Sequence, residues 1–167
     1  MSFANRVLQK NPKLGPLGLV PCAVGGLMGT KISEWAKGGF LYKQLLRRAR
    51  MARKTGGSIQ GILWFQGESD TVNVMDAKMY KRRLVNLFNN LRADLRSPLL
   101  PIIQVAIITG QGPYVEPVRE AQLGLKLPKV SCVDAKGLPL LADKLHLSTP
   151  AQVRLGRMLA DAFVNQS

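Results

Sequence analysis

The sequence predicts a single α/β domain in which a parallel β-sheet is covered by helices on both faces. Apolar, strand-like runs recur along the chain, and stretches with apolar residues at helical spacing separate them. Strands that are apolar on both faces are typical of a parallel sheet between two helical layers. No linker, repeat or low-complexity tract interrupts the 167 residues, so we expect one domain over residues 1–167.

Four strands are predicted, each a short run of apolar residues with glycine or proline nearby. The first is Leu17–Ala23, which leads into the Gly25-Gly26 turn. The other three are Ile59–Phe65, Ile102–Ile108 and Val130–Ala135.

Four helices are predicted between and after these strands. Their expected ranges are Phe40–Ala52, Asp76–Leu95, Tyr114–Leu123 and Pro150–Val164. We expect Thr149 to cap the last helix, because threonine is a favourable N-cap and proline is favourable in the first turn.

Composition excludes several classes of protein. With 46% hydrophobic and 20% charged residues, the chain is typical of a globular protein. No apolar run approaches the roughly 20 residues of a membrane span, and Met1–Arg6 does not resemble a signal peptide, so we expect a cytoplasmic protein. Cys22 and Cys132 lie in apolar runs, as inert buried thiols do. With one histidine and no CxxC motif, we expect neither a metal site nor a cofactor.

The formal net charge is +14, which can attract nucleic acid or an anionic membrane surface. The alternative is that the basic residues form solvated helix faces. No aromatic RNA-stacking motif or zinc finger accompanies the charge, so we expect solvated helix faces, with neither a specific nucleic-acid partner nor a membrane partner. Much of the charge falls in two helical stretches, which contain Lys43, Arg47, Arg48, Arg50, Arg53, Lys54, Lys78, Lys81, Arg82, Arg83, Arg92 and Arg96.

Two polar motifs carry the chemical signal. Trp64–Asp70 begins in a predicted strand and ends in polar residues, and ligands of open α/β sheets collect where strands end. Asp143 and His146 are an acid and a base three residues apart, which suits an imidazole oriented for general-base catalysis. Together the motifs suggest a hydrolase.

Several blocks occur in a fixed order along the chain: Leu19–Gly26, Trp64–Asp70, Pro101–Ala106, Val118–Gln122, Val133–Leu138 and Asp143–Leu147. In this order they resemble the plant and bacterial sialate O-acetylesterase-like family, which are carbohydrate esterases of the SGNH type. The resemblance covers nearly the whole chain. It implies a three-layer α/β/α, flavodoxin-like fold and hydrolysis of acetyl esters on carbohydrates through a serine nucleophile.

The resemblance also implies a role for individual residues. His146 would be the general base and Asp143 the acid that orients it. Gln66 would donate to the oxyanion from its side chain, and Gly25 and Gly26 would supply a backbone N–H. Pre-placed donors of this kind each lower the barrier to acyl transfer by roughly 3–4 kcal/mol.

The chain departs from the family pattern in two places. The nucleophile normally lies in a Gly-Gln-Ser-Asn or Gly-Asp-Ser block after the first strand, and neither block is present. We therefore identify no nucleophile and expect the sheet to lack its first, central strand, with poor stability as a result. In addition, Leu27, Met28 and Gly29 stand between the glycine turn and Thr30, where relatives have no such insertion.

Other interpretations of these residues remain open. Ser69 could be a nucleophile, since Gly67-Glu68-Ser69 begins like a Gly-x-Ser elbow, but Thr71 replaces the glycine that such an elbow requires. Gln66 could instead satisfy backbone groups at the strand end, and we expect Asp70 to terminate the turn or to cap local backbone. At the level of function, the alternatives to an esterase are a non-catalytic remnant that binds carbohydrate or regulates, and a basic nucleic-acid-binding module.

Overall fold

Three short parallel strands form the sheet at the centre of the chain. The structure, a computed structural model, describes residues 1–25 and 29–166. The strands are β1 (Ile62–Trp64), β2 (Ile102–Ala106) and β3 (Val130–Asp134), in the order β1-β2-β3. Ile62 pairs with Ile102, and Ile102 pairs with Val130, so the three strands begin level with one another.

Helices follow the strands as the sequence predicts. The helices are α1 (Ser2–Lys10), α2 (Phe40–Lys54), α3 (Val74–Asp94), α4 (Val115–Leu123) and α5 (Thr149–Val164). Short 3₁₀ helices cover Pro12–Leu14, Ile32–Trp35 and Glu68–Thr71. The four predicted helices, α2 to α5, lie within two residues of their expected bounds. Within residues 1–25 and 29–166, no helix is both long and apolar enough to cross a bilayer.

The helices form two layers around the sheet, which confirms the three-layer α/β/α prediction. Residues of α2, α3 and α4 pack in one core cluster with Trp64 and Ile102. Residues of α1 and α5 pack in a second cluster with Ile103 and Val105. Because side chains alternate along a strand, β2 places neighbouring residues in different cores, and all five of its residues are buried.

The prediction of a strand over Leu17–Ala23 was wrong. This segment has no regular secondary structure, and Leu19 and Val20 are exposed. A strand needs a neighbour to accept its backbone hydrogen bonds, and the sheet of the described residues ends at β1 without another strand beside it. The apolar pattern of the segment therefore has no partner with which to pair.

The first helix was not predicted, and the cap of the last helix was misplaced by one residue. Helix α1 is anchored by Ala4 and Val7, which are buried and spaced to lie on one helix face. Helix α5 begins at Thr149 rather than Pro150, and Ser148 is its N-cap, with its hydroxyl accepting from the Ala151 amide.

The cysteines are free thiols, and neither lies in a disulfide. Cys132 is in β3 as predicted, whereas Cys22 lies in the irregular segment. Burial raises the pKa of both thiols, that of Cys132 to about 11. Both thiols are half-buried, and their raised pKa keeps them protonated at neutral pH. Across residues 1–25 and 29–166, no group of three or more His, Cys, Asp and Glu side chains could hold a metal ion.

Helix α1 reaches the α5 surface at a glycine. A Cβ atom at Gly156 would lie 3.2 Å from the Phe3 backbone nitrogen and in collision with the Ser2 hydroxyl. We expect Gly156→Val to lower the free energy of unfolding by about 1–3 kcal/mol, as overpacking does. Urea unfolding measures this, with Gly18→Val as the control because no atom lies within 4 Å of a Cβ there. Equal effects of the two substitutions would contradict the described packing of α1 on α5.

Candidate active site

The polar motifs of the sequence meet at the carboxyl edge of the sheet. Gln66 follows the end of β1, and Thr109 follows the end of β2. The Thr109 hydroxyl donates to the Leu145 carbonyl at 2.8 Å, which holds the loop containing His146 against the end of β2. Because all three strands are parallel, residues that follow them gather at one edge, where ligands of such sheets bind.

A narrow hairpin-like loop carries Asp143 and His146. Leu140 and Leu147 form an antiparallel bridge that closes it, and the Leu141 amide donates to the His146 carbonyl at 2.8 Å. Leu147 is buried in the core that α5 forms with the sheet. The loop is therefore fixed at its base, while its tip is exposed.

Asp143 shapes the loop and orients the imidazole. Its Oδ1 accepts from the Leu145 and His146 amides at 2.9 and 3.0 Å, and its Oδ2 lies 2.7 Å from His146 Nδ1. The bond to the His146 side chain, together with these two amide bonds, lowers the pKa of Asp143 to about 2. With Nδ1 protonated toward the carboxylate, the lone pair stands on Nε2, and 69% of the His146 side chain is exposed.

Gln66 lies at the centre of a buried network that also contains Asp70, Tyr80 and Gln122, here called the Gln66 network. The Gln66 carbonyl accepts from the Tyr80 hydroxyl at 2.8 Å and from Gln122 Nε2 at 2.9 Å. Its own Nε2 donates to the Thr30 carbonyl and to Asp70 Oδ2, both at 2.7 Å. Both amide hydrogens of Gln66 are thus engaged within the protein.

Asp70 is more deeply buried than its place in a turn suggests. Its relative exposure is 0%, and Oδ2 accepts from the Ile32 amide at 2.9 Å as well as from Gln66. Oδ1 is buried without a hydrogen-bond partner in the described part of the chain. Burial raises the pKa of this carboxyl to about 6, even though its two hydrogen bonds oppose the shift. The sequence predicted that Asp70 would cap local backbone. Its carboxylate instead joins Gln66, at the end of β1, to Ile32 in the segment before α2.

Glu68 is a second acid at this edge that sequence reasoning did not assign. Burial raises the pKa of Glu68, and the nearby His146 partly opposes this shift. Its carbonyl accepts from the Gln111 amide at 3.1 Å and from the Thr71 hydroxyl at 2.6 Å. Glu68 therefore brings the Trp64–Asp70 block within electrostatic reach of the imidazole. The sequence signal that could have identified Glu68 is its position two residues after Gln66, at the end of a predicted strand.

The proposed oxyanion turn is only partly described. Gly25 is exposed, with no atom within 4 Å of a Cβ placed on it, while Gly26, Leu27 and Met28 lie outside the described residues. Gly29 has a φ of +61°, and a Cβ there would lie 2.6 Å from the Ser69 hydroxyl. The chain leaving the insertion therefore packs against Ser69, which is 5% exposed. A nucleophile must reach its substrate, and this burial does not favour Ser69 in that role.

Comparison with known proteins identifies the family. The family described as SASA, "carbohydrate esterase, sialic acid-specific acetylesterase", matches residues 1–165. The chain belongs to the SASA family. A probable carbohydrate esterase of Arabidopsis thaliana is 52% identical to it over 166 residues.

Two solved structures support the same fold. An X-ray structure of an Arabidopsis thaliana protein matches with a TM-score of 0.91 and 54% identity, over 98% of this chain and 66% of that one. A carbohydrate acetylesterase from Xanthomonas citri matches with a TM-score of 0.66 and 20% identity, over 96% of this chain and 39% of that one, which is a likeness of fold. The chain spans 62% of the length of the curated Arabidopsis relative, and the match covers 99% of this chain.

The raised pKa of Asp70 makes a prediction about stability. The folded protein holds this proton up to about pH 6, whereas an ordinary aspartate loses it near 3.8, so folding stability falls as the pH rises between these values. Asp70→Asn keeps an acceptor oxygen and removes the charge. We expect the variant to gain stability relative to the parent by about 3 kcal/mol between pH 4 and 7, measured by urea unfolding.

Asp143→Asn is the matched control, because the pKa of Asp143 is lowered rather than raised. Its contribution to stability is present at neutral pH and is lost as the pH falls toward 2, so this variant should lose stability relative to the parent as the pH rises from 2 to 4. A parent-to-Asp70→Asn difference that stays constant from pH 4 to 7 would show that Asp70 ionises normally.

Proposed function

We propose that this SASA-family chain carries the acid–base half of a carbohydrate acetylesterase, acting through a Ser-His-Asp mechanism. The observation that carries the proposal is the Asp143–His146 pair, with 2.7 Å between Oδ2 and Nδ1 on an exposed loop. An orienting carboxylate and a free Nε2 are what general-base activation of a serine hydroxyl requires. The names of the Arabidopsis and Xanthomonas relatives support carbohydrate as the substrate class and acetate as the acyl group.

In the proposed mechanism, His146 Nε2 takes the proton of the serine hydroxyl as the oxygen attacks the acetyl carbonyl. Asp143 stabilises the imidazolium that forms, because its carboxylate stays ionised. The low pKa of Asp143 supports this role, since the carboxylate is charged across the whole range in which esterases work. The imidazolium then returns the proton to the leaving sugar oxygen.

Gln66 and the Gly25-Gly26 turn are the proposed donors to the oxyanion. Gln66 Nε2 donates one hydrogen to the Thr30 carbonyl and the other to Asp70. One of these hydrogen bonds must break before Gln66 can donate to a substrate. The bond to Thr30 is the one released, because Asp70 is buried and held by the Ile32 amide. Asp70 would then keep the Gln66 amide turned toward the edge of the sheet while the acetyl carbonyl takes the place of Thr30.

Glu68 is proposed to act on the imidazole rather than on the substrate. It lies close enough for its charge to interact with His146, and it is mostly buried. When ionised, it would add to the negative field that favours the imidazolium. Its raised pKa means that this contribution is lost at a higher pH than it would be for an ordinary glutamate.

The nucleophile is proposed to be a serine in a Gly-Gln-Ser-Asn block, which this sequence does not contain. Loss of the nucleophile alone costs subtilisin on the order of a millionfold in turnover. We therefore expect the 167-residue chain to hydrolyse p-nitrophenyl acetate and acetylated sugars barely above background. Steady-state assays against enzyme-free buffer measure this.

A longer protein with the Gly-Gln-Ser-Asn block placed before Met1 should hydrolyse the same esters. His146→Ala in that protein should abolish the activity, and Ser69→Ala should leave it within a few-fold of the parent. Strong activity of the 167-residue chain that disappears with Ser69→Ala would overturn the placement of the nucleophile. Activity of the longer protein that survives His146→Ala would overturn the role of the imidazole.

A further inference from the structure

Helix α2 presents an exposed surface that the proposed esterase does not use. Its fifteen residues include six lysines and arginines and no aspartate or glutamate. Its buried side faces the core through Tyr42, Leu45, Leu46 and Ala49. The opposite side is free for another role.

The cations of α2 form a continuous stripe along this exposed side. Four of them repeat at i, i+4, i+7 and i+11, the spacing that keeps side chains on one helix face. They are Lys43, Arg47, Arg50 and Lys54, all exposed. At a rise of 1.5 Å per residue, the stripe is about 16 Å long.

The stripe is not neutralised by the rest of the described chain. Within residues 1–25 and 29–166, none of its four cations has an acidic partner within 4.0 Å. Arg50 is close enough to Asp94 for their charges to interact, but Asp94 is already bound by Lys37 and by the Tyr42 hydroxyl. The cations of the stripe are therefore available to an external anion.

Two large apolar side chains lie on the same face. Phe40 is 74% exposed and Met51 is 55% exposed. Phe40, Arg47 and Met51 follow the i, i+7 and i+11 spacing, so the apolar groups flank a cation of the stripe. This face of α2 therefore combines cations with exposed apolar side chains, the combination found on helices that lie at a bilayer surface.

We propose that this face of α2, defined by Phe40, Lys43, Arg47, Arg50, Met51 and Lys54, binds the surface of an anionic lipid bilayer. The proposal does not depend on the esterase function. Cations beside a bilayer are attracted to anionic headgroups, and the apolar side chains enter the boundary between headgroups and acyl chains. A nucleic acid would satisfy the cations but would leave Met51 exposed, so the apolar residues favour lipid.

Co-sedimentation of the 167-residue chain with lipid vesicles tests the proposal. We expect binding to phosphatidylcholine vesicles that contain phosphatidylserine, weak or absent binding to phosphatidylcholine alone, and a fall in binding as salt is raised. Replacing Lys43, Arg47, Arg50 and Lys54 with glutamine should weaken binding by about a hundredfold or more, since each cation near the surface contributes about 1 kcal/mol.

A matched control removes four positive charges elsewhere on the protein. Replacing Lys78, Lys81, Arg82 and Lys126 with glutamine lowers the net charge by the same amount, and we expect vesicle binding to fall by less than about tenfold. Equal losses in the two variants would show that net charge, not the α2 face, directs binding. Circular dichroism checks that both variants keep the helical content of the parent.

A second variant separates lipid from other polyanions. Phe40→Ser with Met51→Ser keeps every charge, and we expect it to weaken vesicle binding by about tenfold or more because apolar burial is lost. The proposal is overturned if the parent does not bind anionic vesicles, if this double variant binds them as well as the parent, or if single-stranded RNA competes fully while the double variant binds that RNA normally.

Discussion

The backbone carbonyl of Gln66 is the point at which the sheet, α3 and α4 are joined. It accepts from Tyr80 on α3 and from Gln122 on α4, and Gln122 Oε1 also accepts from the Ile107 amide just beyond β2. Gln104 of β2 closes the arrangement by donating to the Gln122 carbonyl at 2.8 Å. Buried polar groups are costly when unpaired, so these bonds fix the chain at the carboxyl end of β1.

The candidate site depends on this junction because its residues leave the sheet at the same place. The Gln66 side chain donates to Thr30 and to Asp70. Asp70 also accepts from the Ile32 amide, in the segment before α2. The loop of Asp143 and His146 is held separately, through Thr109 and the Leu140–Leu147 bridge. Glu68 is the group that links the two halves electrostatically. The site is thus rigid on the Gln66 side and exposed on the imidazole side.

Much of this architecture was predictable from the pattern of residues. The helices α2 to α5 follow from apolar residues at helical spacing, and β2 follows from a run of seven residues, six of them apolar, between a proline and polar residues. The Asp143–His146 contact was expected because the acid and the base are three residues apart in the sequence, and the structure places these groups 2.7 Å apart. Family membership was predicted from blocks spread along the chain, and the family match over residues 1–165 confirms it.

Other features depend on contacts that no local pattern contains. Leu17–Ala23 has the composition of a strand but no neighbouring strand among the described residues, so its propensity is not realised. Helix α1 is stabilised by packing against α5, which is far away in the sequence. The two helices approach closely at Gly156, where there is no side chain to keep them apart. The burial of the Asp70 side chain could not be predicted from the neighbouring residues, which are typical of a turn. It results from the segment before α2, whose Ile32 amide donates to Asp70. The roles of Gln66, Gly25, Gly26, Asp143 and His146 in catalysis stay predictions.

The central claim is that the Gln66 network holds the end of β1, the helices α3 and α4 and the segment before α2 as one unit. Amide hydrogen exchange in Gln122→Ala tests it most directly, because the Ile107 amide binds Gln122 itself whereas the Ile32 amide binds the far end of the network through Asp70. We expect both amides to lose protection beyond any loss shared by Ile103 in the middle of the sheet. A loss confined to Ile107, with Ile32 protected as in the parent, would contradict the claim.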